Sequence, residues 1–127
     1  MPSFSAISLE RLLTCDVRLV TVMSDVIEHV DFSVLCGHRG ESEQNAAYND
    51  GNSQCLFPQS HHNLEPAEAV DIAPYFDEEP HIRWYDAESF YKLAGSVLYA
   101  AKVRGIELVW GGDWKIKDLP HFQLVRK

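Results

Sequence analysis

Clustered positive charge is missing from this chain. Its 127 residues include 11 Lys or Arg against 19 Asp or Glu, a formal net charge of −8. The longest basic run is Arg126-Lys127, so the electrostatic footprint of a nucleic-acid or anionic-membrane binder is absent. An anionic polymer would have to be held by a cleft, since loose adsorption to an acidic surface is unfavourable. Cysteine is scarce: Cys15, Cys36 and Cys55 fit no C-x-x-C metal or redox motif and are expected as free thiols of a reducing compartment. No apolar run nears the roughly 20 residues that span a bilayer, which argues against membrane insertion. The start of the chain has no basic stretch followed by an apolar one, so no signal peptide is expected. A substrate outside the cytoplasm would need some other route of exit. Repeats, low-complexity tracts and linkers are also lacking, which leaves one domain over 1–127 with no separate binding module. Its apolar fraction of 46% and charged fraction of 24% are those of an ordinary globular protein, large enough for one core without disulfides.

The hydrophobic pattern places the elements. Leu9, Leu12, Leu13, Val20, Met23, Ile27 and Val30 recur at helical steps and predict one amphipathic helix over about 8–29, capped by Ser8. Phe32–Cys36 reads as a short strand ending at Gly37, Glu41–Tyr48 as a short helix, and 49–53 as a turn. Residues 51–66 are polar and carry two prolines, a loop. Ala69–Ala73 reads as a buried strand stopped by Pro74, and the acidic 77–79 as a solvated turn without the ligand spacing of a calcium loop. A helix over about 86–104 follows, with Phe90, Leu93, Val97, Leu98 and Ala101 on one side and Gly105 at its end. Strands over 106–110 and 121–125 flank a Gly111-Gly112-Asp113 turn. This order predicts an α+β domain, helices packed on a small antiparallel sheet.

Two distant stretches carry the chemistry, Ser60–Asp71 and Asp118–Phe122. Together they offer two imidazoles and a carboxylate, with a second carboxylate three residues before the last histidine. Three protein ligands would leave a fourth tetrahedral position open, the arrangement of a catalytic zinc. Spacing alone is weak support: a His nine residues before an Asp is common, and a single His121 reads as readily as a core or surface histidine. His29, His38 and His81 have no ligand-like company and read as structural or exposed.

The pattern S-x-H-N-x-x-P-x-x-A-V-D-I-A-P-Y, followed by G-G-D-W and D-x-P-H-F, resembles the zinc D,D-peptidase/L-alanyl-D-glutamate endopeptidase family. That family includes small bacteriophage endolysins, D,D-carboxypeptidases and D-Ala-D-Ala dipeptidases. The likeness runs from about Val34 to Leu124 and is to the phage single-domain type, with the first His and the Asp nine positions apart. It implies a hedgehog/D,D-peptidase-like single domain holding one Zn2+ ion through His62, Asp71 and His121. Asp118 matches the catalytic carboxylate. Arg39 matches an arginine that faces substrate and oxyanion, Ser60 a substrate-binding residue, and Gln44 a support of the arginine loop. The motif register selects His62 over His61, which is left on the cleft rim.

The chemistry so implied is metal-assisted hydrolysis, with Asp118 carrying the proton and Arg39 sharing the charge of the tetrahedral intermediate. An Asp near its ordinary pKa of about 3.9 donates poorly, so burial beside Trp110 or Trp114 is expected to raise it. The implied substrate is the peptidoglycan stem peptide, cut at L-Ala–D-Glu by a monomeric endolysin. Such an enzyme gathers in the host cytoplasm and reaches the wall through a holin pore for host cell lysis. Three rivals remain. A D,D-carboxypeptidase or D-Ala-D-Ala dipeptidase would need a further cation for the terminal carboxylate. A non-catalytic zinc-binding recognition module would not need Asp118 or Arg39. A virion-associated enzyme would differ only in location.

Overall fold

Alternation decides the layers. In the computed structural model, which describes residues 2–126, four strands pair in the order β1-β2-β4-β3, all antiparallel. They are β1 (Phe32–Cys36), β2 (Ala69–Pro74), β3 (Leu108–Trp110) and β4 (His121–Leu124). Phe32, Val34, Val70, Ile72, Trp110, Phe122 and Leu124 form one buried set. They meet α1 (Ala6–Leu12), α2 (Val17–Ile27) and α4 (Ala87–Arg104) through Leu12, Leu19, Met23, Leu93 and Val97. Side chains on a strand alternate between faces, so Asp71, His121 and Gln123 fall on the face away from this core. Over that face lies a short 3-10 turn, His61–Asn63, to which α3 (Glu41–Asn49) is joined by Gln44. The expected α+β architecture is what forms. No helix of the described residues is long and apolar enough to cross a membrane.

The expected single helix over 8–29 is instead two. The backbone at 14–16 is recruited by the chain before β2: Asp16 N–H donates to Ala67 O (2.8 Å) and Ala67 N–H to Thr14 O (3.0 Å). Asp16 then caps α2, its carboxylate accepting from Arg18 N–H (2.9 Å). Ser5, not Ser8, caps α1. Ser8 is buried and its hydroxyl accepts from Val34 N–H (3.0 Å), tying α1 to β1. The break rotates the stripe, so Leu9 and Leu13 are exposed while Leu12 and Leu19 are buried.

The other elements keep close to expectation. Asp86 caps α4 through Ser89 N–H, and Gly105 ends it in the left-handed region (φ 70°). The strand expected over 106–110 begins only at Leu108, because Ile106 N–H is spent on Ala101 O at the helix end. The strand expected over 121–125 stops at Leu124. Phe122 stacks near Trp110 at the centre of the core (ring centroids 6.4 Å apart) and is 1% exposed. Phe122→Ala is therefore expected to cost about 3–5 kcal/mol of stability in urea titration. A loss under ~1 kcal/mol would show that the sheet–helix layer is not the core.

Candidate functional site

Cross-strand registry builds the site. Asp71 on β2 lies directly opposite His121 on β4, and directly opposed residues share a face. His62 comes from the 3-10 turn, whose cap, Ser60, accepts from His62 N–H (3.2 Å) while its own N–H donates to Asn63 Oδ1 (3.0 Å). This reciprocal cap aims His62 at the sheet. Its Nε2 lies 3.3 Å from Asp71 Oδ1, and His121 Nδ1 lies 3.0 Å from the same oxygen. The rings of His62 and His121 meet edge to face, 5.1 Å between centroids. All three residues, with Arg39, Ser60, Trp114 and Asp118, line a cleft of about 230 Å³.

The remote ring nitrogens settle what this cluster can hold. His62 Nδ1 lies 2.7 Å from the Gly37 carbonyl, which can only accept, so the lone pair of the neutral ring sits on Nε2. His121 Nε2 lies 2.8 Å from Gln123 Oε1, leaving Nδ1 as its lone-pair atom. Two lone pairs and a carboxylate oxygen thus converge with no proton between them. Such a convergence needs a cation, and second-nitrogen hydrogen bonds of this kind orient metal-binding histidines. Without a metal a proton fills the role. Burial opposes charging His62, but the hydrogen bonds its ring donates to Asp71 and Cys36, and the negative charge of those groups, outweigh it and hold the ring up at about 10. Burial likewise opposes ionising Asp71, yet hydrogen bonds from His121 and His62, with their charge, keep it well below the ordinary carboxylate range. The donor set fits a metal ion. Among the described residues, atoms able to hold a metal gather in two groups that share Asp71, one with Asp118 and His121 and one with Cys36 and His62, so His62 and His121 fall in different groups.

Asp118 is held by its backbone. Its N–H donates to Gly111 O (2.9 Å), its carbonyl accepts from His121 N–H (3.2 Å), and Trp110 Nε1 donates to Leu119 O (2.8 Å). A side chain at Gly111 would collide with the Asp118 backbone, so the first glycine of G-G-D-W is required by this close approach. Burial, then the negative charge of Asp71, raises the Asp118 pKa above its usual value. The expected direction holds, and the neighbouring charge is Asp71. Trp114, which lines the same cleft, packs against His121, 5.0 Å between centroids.

Arg39 Nη2 lies 3.4 Å from Asp71 Oδ2 and its Nη1 donates to Gln44 Oε1 (3.1 Å). Gln44 is wholly buried and uses its whole amide. Its Oε1 also accepts from Asn63 Nδ2 (3.2 Å), and its Nε2 donates to Ser53 Oγ and Cys55 O (2.8 and 2.7 Å). Asn63 Nδ2 further donates to Arg39 O (2.9 Å). Gln44 thus supports the arginine loop as expected. Asn63 and Gln123 were not singled out as site residues, although Asn63 lies inside the motif. Ser60 lines the cleft, and its hydroxyl accepts from the His62 N–H of the turn. His61 lines the cleft and is half-buried, in keeping with a rim position. His38 pairs with Glu65 (3.2 Å), and His81 Nδ1 lies 2.8 Å from Phe76 O.

Comparison with solved structures gives the class. The chain superposes on the Serratia marcescens L-Ala D-Glu endopeptidase ChiX with a TM-score of 0.81 and 34% identity, over 96% of this chain and 89% of that one. The family model of phage L-alanyl-D-glutamate peptidases matches residues 2–125. The chain belongs to that peptidase family.

Two predictions follow from the wiring. Gln44→Leu strands several buried partners and is expected to cost about 1–3 kcal/mol in chemical denaturation; an unchanged midpoint would mean the network adds nothing. The second concerns the metal-free protein. Asp118 holds its proton more tightly folded than unfolded, so its ionisation opposes folding as pH rises past the ordinary value of 3.8. Asp118→Asn is expected to be more stable than wild type at neutral pH, the gain fading as pH falls toward 3.8. Equal urea midpoints at neutral pH would count against burial as the cause of the shift.

Proposed function

We propose that this protein is a zinc-dependent peptidoglycan endopeptidase that hydrolyses the L-Ala–D-Glu bond of stem peptides and serves a phage in host lysis. The observation that carries the reading is the convergence of His62 Nε2 and His121 Nδ1 on Asp71 Oδ1, beside Asp118 in an open cleft, in a chain of this peptidase family. His62, Asp71 and His121 would hold the ion. A bound zinc polarises a carbonyl and makes water nucleophilic at neutral pH.

The remaining work falls to the chain. Asp118, its pKa raised by burial and by Asp71, takes the proton of the attacking water at its carboxylate and delivers it to the departing D-Glu amine. Arg39, turned toward the cleft by Gln44, donates to the oxyanion from its guanidinium. Trp114 against His121 walls that side of the site from solvent. The domain acts as a monomer, gathering in the host cytoplasm until a holin pore admits it to the wall. Cleavage at terminal D-Ala-D-Ala asks for another cation in the cleft. Lys117 lines it and donates to Gly112 O at 2.9 Å; the internal bond is favoured by the family match.

The test is digestion of purified peptidoglycan with mass spectrometry of the fragments. Peptides beginning at D-Glu are expected; release of D-Ala or D-Ala-D-Ala would sink the assignment of the bond, and no release would sink the activity. Chelation should abolish cleavage and added zinc restore it. Asp118→Ala should retain the metal but lose at least ~100-fold in turnover, and Arg39→Ala about 100–1000-fold. Full activity in either variant would contradict its role.

A further inference from the structure

The site row has a third member. On β1, Val34 opposes Ile72 but Cys36 opposes Asp71, so positions two apart on one strand face positions one apart on the other. In unbroken registry Leu35 would lie opposite Asp71 and Cys36 opposite Val70, on the core side. The slip puts Cys36 on the site face. Cys36, Asp71 and His121 then lie in one row across three adjacent strands, with Asp71 in the middle.

The Cys36 sulfur, a His62 ring nitrogen and an Asp71 oxygen lie within 4.8 Å of one another, and so do ligand atoms of Asp71, Asp118 and His121. Cys36 and His121 share neither group; they flank Asp71 from opposite sides. The thiol is half-buried and unbridged, makes a long contact with Gly37 O, 3.6 Å, and faces the His62 ring. That same carbonyl holds His62 Nδ1 and presents Nε2 as the donor atom. An imidazole, a carboxylate and a thiol beside an open cleft form a donor set, and thiolate selects soft d10 cations.

We propose that Cys36, His62 and Asp71 form a second cation seat for a thiophilic divalent ion such as Cd2+, overlapping the hydrolytic seat and excluding its ion. Binding forms the metal–sulfur bond and releases the thiol proton to solvent. Because His62 and Asp71 serve both seats, one chain holds one ion at a time. An ion on the Cys36 side leaves His121 and Asp118 without a metal between them. The overlap rests on the reading of His62, Asp71 and His121 as the hydrolytic ligands. The thiolate seat itself does not.

The experiment is titration of the metal-free full chain with Cd2+ alone, following the near-ultraviolet thiolate-to-cadmium charge-transfer band. Wild type is expected to develop the band with one ion bound. Cys36→Ser should lose it and weaken Cd2+ binding by more than the roughly 10–100-fold typical of losing an outer-shell partner. Cys55→Ser, whose residue also lines the cleft, should keep the band. So should His121→Ala, or His121→Gln where circular dichroism shows that the alanine variant does not fold. No band in wild type, or a band that survives Cys36→Ser, overturns the seat. Loss of the band in folded His121 variants would place the thiolate in the hydrolytic centre and overturn a separate seat. Mass spectrometry of the native protein with zinc and cadmium together should find one ion per chain, and two bound at once would overturn the exclusion. Peptidoglycan cleavage is a separate readout: its absence beside a Cys36-dependent band defeats only the proposed function, and the reverse pattern defeats only this seat.

Discussion

A carboxylate removed from water must be matched by charge and hydrogen bonds, or it will not ionise. Asp71 is such a carboxylate, placed mid-sheet on β2. Its Oδ1 faces His62 and His121 and its Oδ2 faces Arg39. Each partner comes from a different part of the chain, and each is fixed by a device of its own. His121 is fixed by strand pairing, His62 by a capped 3-10 turn, and Arg39 by the amide of Gln44. The core on the opposite face holds β2 flat against the helices through Val70 and Ile72. Displacing Asp71 would leave two imidazoles and a guanidinium crowded together without their anion.

The polar layer over the site face is as fully paired as the apolar core is packed. Among the described residues no buried side-chain nitrogen or oxygen lacks a partner. Gln44 alone joins helix α3, the arginine loop, the Ser53–Cys55 segment and the Asn63 turn. Such a network fixes loop residues with nearly the precision of a strand, because every alternative position leaves a buried donor or acceptor unpaired. That lets a largely irregular polar segment, with only α3 and the 3-10 turn as regular structure, present Arg39 and His62 to the sheet.

Much of this was legible beforehand. The strands around Asp71 and His121, helix α4 with its Asp86 and Gly105 ends, and the helix after Arg39 all carry local signals: alternation, a cap, a glycine past the last turn. The candidate site residues are legible because they lie in short local motifs, Ser60–Asp71 and Asp118–Phe122, that resemble a known family. The split of the first helix was not legible, since the apolar steps continue through Leu13 and the cause is a distant strand-like contact at Ala67. Asn63 and Gln123 were missed because their roles show only in what their amides touch.

The chain's order of residues determined the donor set itself: two histidines, two aspartates and an arginine, on elements of a given type, in an acidic domain with free thiols. Only the tertiary structure decided which donors meet. Cys36 reads in sequence as the end of an apolar strand, and its place opposite Asp71 comes from a slip in pairing registry. Registry belongs to two strands together. A shift of one residue reverses the face of everything beyond it, so no reading of one segment alone could put that sulfur beside His62 and Asp71.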